Sequence, residues 1–505
     1  MPERESVQAV ETRDADVVQA APATLAANTS VMVAARVYLL VASGALSIYA
    51  IRTFSTEAYG RFAIASALIV IFGLLSEMGI GTITLRELAM ASERTRDILA
   101  AAVWAELVTS VLAAALMFPT ALILGYGGEV VGLLAIGAGI ILIQGLLAPL
   151  DAAFQARRVL VYSAALVAIQ ATFAVAVGFV LVASGVGPAG LLAGTLCGYI
   201  AAIPVGLVVA RTRLGIRPQL RGRWRGVGPL IKAALPVAAT GGTAVIYDRI
   251  DVLMLSQLDS VRGAAIYNVP LTILQYSAVV PSIVATAFFA LLANLLRTDP
   301  PAARNAFGLI LRIFALLSVP IALVLTFGGE SILTTMFGAR YRDSAAPLSV
   351  LAWSVVLAFI NYLFWYSLLA AYREGAKFRI MLAGLALNVA LNAVLIPAYG
   401  PVGAAISLVC SDFIVVGWQG LLIRRHLFQV PFARLLAKPL VALAVAVPTA
   451  FLLDPLGGLP AGIGSALVYA VALLSLRYIS LEEWQPLLQP ARRLALRAWG
   501  LAARG

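Results

Sequence analysis

Apolar stretches of about 20 residues recur from residue 31 nearly to the end of the chain, separated by short polar segments. A helix of that length crosses ~30 Å of hydrocarbon, because each residue adds ~1.5 Å along its axis. Backbone groups in lipid need internal hydrogen bonds, so we expect an all-α, polytopic membrane protein. The fourteen predicted spans are 31–51, 62–83, 98–122, 130–150, 162–184, 188–210, 233–257, 264–292, 308–327, 347–371, 378–396, 402–423, 435–453 and 460–480.

The composition agrees with this pattern. Hydrophobic residues make up 62% of the 505 residues and charged residues only 12%, whereas soluble domains carry roughly 25% charged residues. The first 30 residues are polar and lack the basic start and short apolar core of a secretory signal. We therefore expect residues 1–30 to form a cytoplasmic tail, with disorder as the default.

The basic residues predict the orientation of the spans. Most of the 36 Lys and Arg residues fall in or beside alternate loops, and such loops face the cytoplasm. Both termini are therefore predicted to be cytoplasmic, and the net charge of +12 reflects topology rather than binding to nucleic acid. The outer loops carry five arginines, which are Arg52, Arg61, Arg262, Arg340 and Arg342.

Several kinds of chemistry find no support in the sequence. Cys197 and Cys410 lie inside apolar runs, and His426, the only histidine, lies in a basic loop. We therefore expect no zinc site, disulfide framework or His-dependent catalysis. The stretch "GVGPAG" at 185–190 has the letters of a dinucleotide motif, but it joins two spans and follows no strand. The expectation is a protein that is not an enzyme and binds no metal or cofactor.

An internal repeat divides the chain. The stretch "GPAGLLAGTLC" at 187–197 aligns without a gap on "GPVGAAISLVC" at 400–410, and "AFQARR" at 153–158 resembles "LAAYRE" at 369–374. Six spans per copy is an even number, so the two copies share one orientation about a pseudo-twofold axis along the membrane normal. The predicted parts are a tail (1–30), an N-lobe (31–210), a linker (211–232), a C-lobe (233–425), two further spans (426–480) and an amphipathic cytoplasmic tail (481–505).

Two basic segments have more than one interpretation. Residues 211–226 read "RTRLGIRPQLRGRWRG", with six arginines, and form either a topogenic linker near anionic headgroups or a capture site for a diphosphate headgroup. After Pro490, one helical face of the C-terminal tail carries arginines and another carries apolar residues, which is typical of a helix lying on the membrane surface.

Charges inside spans are the strongest candidates for function, because each central charge costs at least ~2.5–3.5 kcal/mol in lipid. The stretch "YDRIDVLMLSQL" at 247–258 carries Asp248, Arg249 and Asp251. Arg249 lies roughly 12 Å from the outer end of span 7, and Arg36 lies roughly 9 Å into span 1. Arg36 either extends to the headgroups or, like Arg249, contacts an anionic substrate, since a guanidinium binds phosphate oxygens bidentately.

The in-span carboxyl groups have two interpretations as well. Asp248 and Asp251 lie three residues apart and are predicted to share a helix face. Asp251 forms either a structural ion pair, with Arg52 or Arg262 as candidate partners, or a site that loads and releases a coupling proton. The same alternatives apply to Glu77, Glu106 and Asp412.

Two asparagines in span 11 belong to neither class. Asn388 and Asn392 are four residues apart, and we expect them to form hydrogen bonds between helices rather than to contact sugar.

Several stretches resemble the polysaccharide flippases of the multidrug/oligosaccharidyl-lipid/polysaccharide exporter superfamily. They are "YDRIDVLMLSQLDSVRGAAIYNVP" (247–270), "FSTEAYGRFAIA" (54–65), "LLSEMGIGTITLRELA" (74–89) and "LNVALNAVLIPAYGPVGAAIS" (387–407). The resemblance covers spans 1–12, and spans 13 and 14 are an extension that many members of the superfamily carry.

The resemblance implies two six-helix lobes around a central cavity lined mostly by spans 1, 2, 7 and 8. It implies movement of an oligosaccharide linked to undecaprenyl diphosphate from the cytoplasmic to the outer leaflet of the bacterial inner membrane, for O-antigen or exopolysaccharide synthesis. Its expected partners are membrane lipids and polysaccharide polymerase or export proteins. The expected substrate contacts are Arg36, Asp248, Arg249 and Asp251, and the candidates for proton coupling are Glu77, Asp251 and Asp412.

Three other functions stay open. A cation-coupled multidrug exporter of the same superfamily would carry an acidic site in its first span, but span 1 carries Arg36 and no carboxyl. A peptidoglycan lipid II flippase would carry basic residues in spans 2 and 8, and span 8 has no charge. A membrane scaffold is the remaining alternative, because fold alone does not determine function.

Overall fold

A computed structural model describes residues 21–479 except 78, 91–94, 158, 214, 216–223 and 372–373. Within these residues the chain is helical and contains no strand, which confirms the all-α prediction. The helices are α1 (Ala21–Thr53), α2 (Thr56–Glu77), α3 (Ile80–Met90), α4 (Thr95–Ile123), α5 (Gly128–Ala156), α6 (Leu160–Ala183), α7 (Pro188–Arg213), α8 (Val227–Leu258), α9 (Val261–Ser277), α10 (Val279–Thr298), α11 (Pro300–Phe337), α12 (Ala345–Ala370), α13 (Glu374–His426), α14 (Phe432–Leu453) and α15 (Gly458–Ser475). The predictions for residues 1–20 of the cytoplasmic tail (1–30), for residues 216–223 of the linker and for the C-terminal tail (481–505) concern residues outside the described part of the structure.

The membrane-crossing segments follow the predicted spans. In the described part of the chain, 12 segments are long and apolar enough to cross a membrane, and Val37–Thr53 is a shorter apolar helix. One of the 12, Phe378–His426, covers predicted spans 11 and 12 together. The chain is therefore a multi-pass membrane protein, and the total of fourteen spans stays a prediction.

Helix α13 is a helical hairpin rather than one straight rod. Gly400 has a φ of +52° and interrupts the helix. A Cβ added to Gly403 would overlap the carbonyl of Leu395, eight residues earlier, whereas a straight helix separates such residues by ~12 Å. The chain thus reverses at Gly400, and the two rods correspond to spans 11 and 12.

The same turn occurs in the first copy of the repeat. Gly187 has a φ of +74°, and Pro188 begins α7 directly after it, just as Pro401 follows Gly400. Glycine adopts a positive φ without steric cost, and proline is favoured at the first position of a helix. The aligned "GP" pairs therefore form equivalent turns, as the repeat predicts.

Two helix ends differ from the sequence-based expectation. The helix α1 begins at Ala21, so the prediction of disorder is wrong for residues 21–30. Alanines are frequent in this segment and favour helix, and Pro22 is tolerated in a first turn.

Predicted span 2 is interrupted at Gly79, where the φ is +72° and a Cβ would overlap Val237. Span 2 is therefore divided between α2 and α3.

The chain divides into two compact units, Met1–Val245 and Ile246–Gly505. The division lies inside α8, and not in the predicted linker (211–232). In the first unit, the start of α8 packs through Val227 and Leu230 against Ala102 of α4. Helices α6 and α7 approach closely, because a Cβ on Gly194 would overlap the backbone of Ala174 and Gly178.

In the second unit, helices α14 and α15 pack on α11. A buried apolar cluster joins Leu323 of α11, Ala446 of α14 and Tyr469 of α15. Large apolar side chains on the opposite faces of the same two helices, such as Leu452 and Leu467, are exposed. In a membrane protein such faces contact lipid, so α14 and α15 form a peripheral layer of this unit.

Candidate functional site

Asp251 is the centre of a buried polar cluster in the second unit. It lies in the last two turns of α8, and only 2% of it is exposed. The hydroxyl of Tyr267 on α9 donates a hydrogen bond of 2.6 Å to its Oδ2. The Nδ2 of Asn392 on α13 donates one of 2.6 Å to its Oδ1. Both carboxyl oxygens therefore have donors, which offsets the cost of burial.

The asparagines of span 11 complete this cluster. Asn388 and Asn392 are fully buried, and the Nδ2 of Asn392 also donates to Oδ1 of Asn388 at 3.0 Å. The hydrogen bond to Asp251 runs between α13 and α8, as predicted for these asparagines. Asn388 Nδ2 and Asn392 Oδ1 have no partner among the described residues.

Asp412 lies in a second hydrogen-bonded pair of the same unit. It is half-buried on the second rod of α13, and its Oδ1 accepts a hydrogen bond of 2.7 Å from the hydroxyl of Tyr247 on α8. Tyr247 is four residues before Asp251, and both are buried. Tyr247 and Asp251, on one face of α8, therefore each form a hydrogen bond with a residue of α13.

Asp248 and Arg249 have other environments than Asp251. Asp248 is exposed and Arg249 is half-buried. Asp248 and Asp251 lie three residues apart on the same helix, as predicted, but they differ in burial, because Asp251 belongs to a buried stripe with Tyr247 and Leu255 at intervals of four.

The two arginines predicted to contact substrate lie on α1 and α8. Arg249 is about 14 Å from the end of α8 at Leu258, counted at 1.5 Å per residue. Arg36 belongs to α1, and its side chain lies outside the described part of the structure. The proposed phosphate contacts of both stay a prediction.

Arg262, one of the two candidate partners predicted for Asp251, pairs with a different carboxyl group. Arg262 donates from Nη2 to Oδ2 of Asp343 at 2.9 Å, at the start of α9. Asp251 uses a tyrosine and an asparagine instead of Arg262. Its surroundings are neutral hydrogen-bond donors and not the predicted ion pair with that arginine.

Glu77 and Glu106 lie together in the first unit. They line a cavity of about 200 Å³. Glu77 ends α2 and is exposed, whereas Glu106 on α4 is only 1% exposed. The remaining lining residues are Gly73, Ser76, Gln144, Gly145, Leu147, Ala148, Asp151, Ser163, Leu166, Val167, Gln170 and Tyr199.

Sequence reasoning missed several members of these clusters. In the second unit it missed Tyr247 and Tyr267, because a tyrosine in a span is as typical of apolar packing as of a polar site. In the first unit a signal was available: polar residues recur seven apart at Gln144 and Asp151 of α5 and at Ser163 and Gln170 of α6. A separation of seven places two side chains on one helix face.

Comparison with known proteins identifies the family of the chain. A family model described as "Polysaccharide biosynthesis protein" matches residues 51–346, which is more than half of the chain. No curated protein sequence matches the chain.

Solved structures of low sequence identity share the fold. The lipid II flippase MurJ in an inward closed conformation has a TM-score of 0.67 at 15% identity, over 88% of this chain and 98% of that chain. An inward-facing multidrug resistance MATE family transporter of the MOP superfamily has a TM-score of 0.60 at 15% identity, over 77% and 94%. The eukaryotic MATE transporter AtDTX14 has a TM-score of 0.57 at 16% identity, over 79% and 94%.

Proposed function

Because the chain belongs to the polysaccharide biosynthesis protein family, we propose that it is a flippase for a lipid-linked oligosaccharide. The substrate is an oligosaccharide on a polyprenyl diphosphate, with undecaprenyl as the bacterial carrier. It moves from the inner to the outer leaflet of the cytoplasmic membrane and supplies O-antigen or exopolysaccharide synthesis. The protein exposes its substrate path alternately to the two sides of the membrane and makes or breaks no covalent bond.

One observation carries this proposal: the chain matches a polysaccharide biosynthesis family, and its fold resembles that of a lipid flippase over 98% of the flippase's length. The family description supports a role in polysaccharide synthesis, and the fold shared with a lipid flippase supports movement of a lipid across a bilayer. The distribution of arginines among the loops favours a cytoplasmic location for both termini. The polysaccharide polymerase and export proteins are the expected partners.

The proposed substrate contacts are Arg36, Asp248, Arg249 and Asp251. Arg249 lies well inside α8, where its guanidinium would bind diphosphate oxygens with two parallel hydrogen bonds. Asp248 is exposed, so its carboxyl can accept hydrogen bonds from sugar hydroxyls. We assign proton coupling to Glu77, Asp251 and Asp412, of which Asp251 lies on α8 and Asp412 on α13 accepts a hydrogen bond from Tyr247 of the same α8 face.

A second candidate is lipid II, because the structure of a lipid II flippase is among those that share the fold. Lipid II also carries a polyprenyl diphosphate, so Arg249 would serve either substrate. The uncharged predicted span 8 (264–292) favours the oligosaccharide lipid. The two candidates are separated by the sugar portion of the substrate.

Substitution of Arg249 tests the proposal in cells. We expect Arg249→Ala to lose at least ~90% of surface polysaccharide at normal membrane abundance, because a contact to a charged group is worth about 1.5–3 kcal/mol. Arg249→Lys should restore part of the activity, since a point charge replaces a planar fork. The measurement is surface polysaccharide, with membrane abundance, in a strain that lacks the native gene.

The matched control is Arg304→Ala, an exposed arginine at the start of α11, which should retain normal polysaccharide. Full polysaccharide from Arg249→Ala would contradict the substrate contact. Loss of the protein itself would instead indicate that Arg249 stabilises a buried acid.

A further inference from the structure

The predicted cytoplasmic ends of α14 and α15 carry an unbalanced positive charge. Residues 424–479 contain five Lys and Arg residues, which are Arg424, Arg425, Arg434, Lys438 and Arg477, and a single acidic residue, Asp454. Asp454 follows the opposite end of α14, about 24 Å from Lys438 when counted at 1.5 Å per residue. This segment therefore supplies no acidic residue that could neutralise its own cations.

Arg434, Lys438 and Arg477 lie around one point of the second unit, and we refer to them as the α14/α15 basic cluster. The Nζ of Lys438 donates a hydrogen bond of 3.2 Å to the carbonyl of Arg477, directly after α15. The hydroxyl of Tyr478 donates one of 2.8 Å to the carbonyl of Leu435, the neighbour of Arg434. Arg434 and Lys438 are four residues apart, so they share one face of α14. All three cations are exposed.

The electrostatics of this cluster favour a bound anion. Arg434 and Lys438 repel each other, because like charges four residues apart on a helix are destabilising. The first turn of α14 contains no acidic residue, and no acidic side chain of the described residues forms an ion pair with the three cations. An anion bound between the cations would replace this repulsion with attraction.

The backbone of Arg477 supports a role for its side chain. Its φ is +48°, and among the described residues it is the one residue other than glycine with a positive φ. The amides of Arg477 and Tyr478 donate to the carbonyls of Leu474 and Leu473, which is the helix ending that favours glycine at the position of Arg477. An arginine in this conformation has a steric cost that glycine avoids. The outlier therefore indicates that the charge of Arg477 has a function.

Exposed apolar side chains adjoin the cluster. Leu440 follows Lys438 by two residues and is 61% exposed, and Leu474 precedes Arg477 by three residues and is 57% exposed. Val471, one turn further along α15, is exposed as well. Such faces contact lipid in a membrane protein. Cations beside a lipid-facing apolar surface match the two parts of a phospholipid, which are an anionic headgroup and acyl chains.

We propose that the α14/α15 basic cluster binds the headgroup of an anionic phospholipid, whose acyl chains lie along the exposed faces of α14 and α15. The two guanidinium groups can each bind phosphate oxygens with two parallel hydrogen bonds, and the ammonium group of Lys438 binds them as a point charge. The lipid contacts both helices, so it stabilises the peripheral layer that they form on the second unit. Free phosphate carries the same anionic group, and the test separates it from a lipid.

The site does not depend on what the protein transports. It is tested on the purified full-length protein without any lipid-linked oligosaccharide, so its failure would leave the flippase proposal standing. The ligands are phosphatidylglycerol, which is anionic, and phosphatidylcholine with the same acyl chains, which has no net charge. Native mass spectrometry in an uncharged detergent measures the affinity of the first lipid bound.

We expect the wild-type protein to bind its first phosphatidylglycerol at least roughly tenfold more tightly than phosphatidylcholine, since each cation beside an anionic headgroup contributes roughly fivefold. Bound lipid stabilises the folded state, so phosphatidylglycerol should also raise the melting temperature by roughly 2 °C or more relative to phosphatidylcholine.

Two substitutions remove charges from the cluster. Arg434→Gln should weaken phosphatidylglycerol binding roughly fivefold and leave phosphatidylcholine binding unchanged. Arg477→Gly should have the same effect on lipid binding, and it should keep the wild-type melting temperature without added lipid, because glycine adopts the positive φ without strain. The combined variant should lose the preference for phosphatidylglycerol.

The matched control is Arg379→Gln, at an exposed arginine near the start of α13, and it should keep the wild-type preference. A wild-type protein that binds the two lipids equally, or a combined variant with wild-type affinity for phosphatidylglycerol, would overturn the proposal. A melting temperature raised as much by 10 mM inorganic phosphate as by phosphatidylglycerol would also overturn it, because the site would then bind an anion without lipid.

The alternative role of Arg477 is to interact with the negative end of the α15 dipole. In that case Arg477→Gly would lower the melting temperature without lipid and retain wild-type affinity for phosphatidylglycerol. That result would contradict the place of Arg477 in the lipid site.

Discussion

At the scale of the residue, Asp251 shows how a carboxyl group is accommodated in a membrane helix. Its two oxygens accept hydrogen bonds from Tyr267 and Asn392, on two other helices. The sequence predicts the position of the charge from its apolar surroundings. It does not identify the donors, because Asn392 is 141 residues away along the chain and only the packing of α13 on α8 brings it near.

The pair formed by Asp251 and Asn392 permits a quantitative test. We expect Asn392→Ala to destabilise the protein by about 1–3 kcal/mol, because it leaves one oxygen of Asp251 without its donor. In a double-mutant cycle with Asp251→Asn, the coupling energy should be about 0.6–1.7 kcal/mol. Denaturant unfolding of the purified variants measures both values. Asn294→Ala, at an exposed asparagine of α10, serves as the control, and a coupling energy near zero would show that the hydrogen bond contributes nothing.

At the scale of the element, hydropathy predicts where the chain crosses the membrane, but not where helices break. The predicted ends of most spans lie within several residues of the observed helices, since length and apolarity together define a membrane helix. The break at Gly79 and the interruption at Ala278 before Pro281 lie inside predicted spans. Such breaks depend on local backbone geometry, and hydropathy contains no signal for them.

The hairpin of α13 gives a prediction at this scale. Gly403→Ala should lower the free energy of unfolding by about 1–3 kcal/mol, because its Cβ would overlap the Leu395 carbonyl in an otherwise close-packed turn. Gly417→Ala lies in the same helix, where a Cβ meets nothing within 4 Å, and should change stability by less than about 0.5 kcal/mol. Thermal unfolding in detergent compares the two. Equal stability of the two variants would contradict the close reversal at Gly400.

At the scale of the whole molecule, charge explains features that hydropathy leaves open. Arg61, Arg262 and Arg342, which are predicted on the outer side, pair with acidic residues: Arg61 with Glu129 at 2.5 Å, Arg262 with Asp343 at 2.9 Å and Arg342 with Glu330 at 2.8 Å.

The central claim is that the protein moves a polyprenyl-diphosphate-linked oligosaccharide across a bilayer. The most direct measurement reconstitutes it in vesicles with such a lipid, labelled with a fluorophore on the sugar, and adds a membrane-impermeant quencher outside. Wild-type protein should make the inner-leaflet pool accessible, with a proton or sodium gradient imposed if the cycle requires one, while Arg249→Ala should quench only the outer pool. Quenching by wild type no greater than in protein-free vesicles under every gradient, or faster movement of labelled lipid II than of the oligosaccharide lipid, would contradict the account.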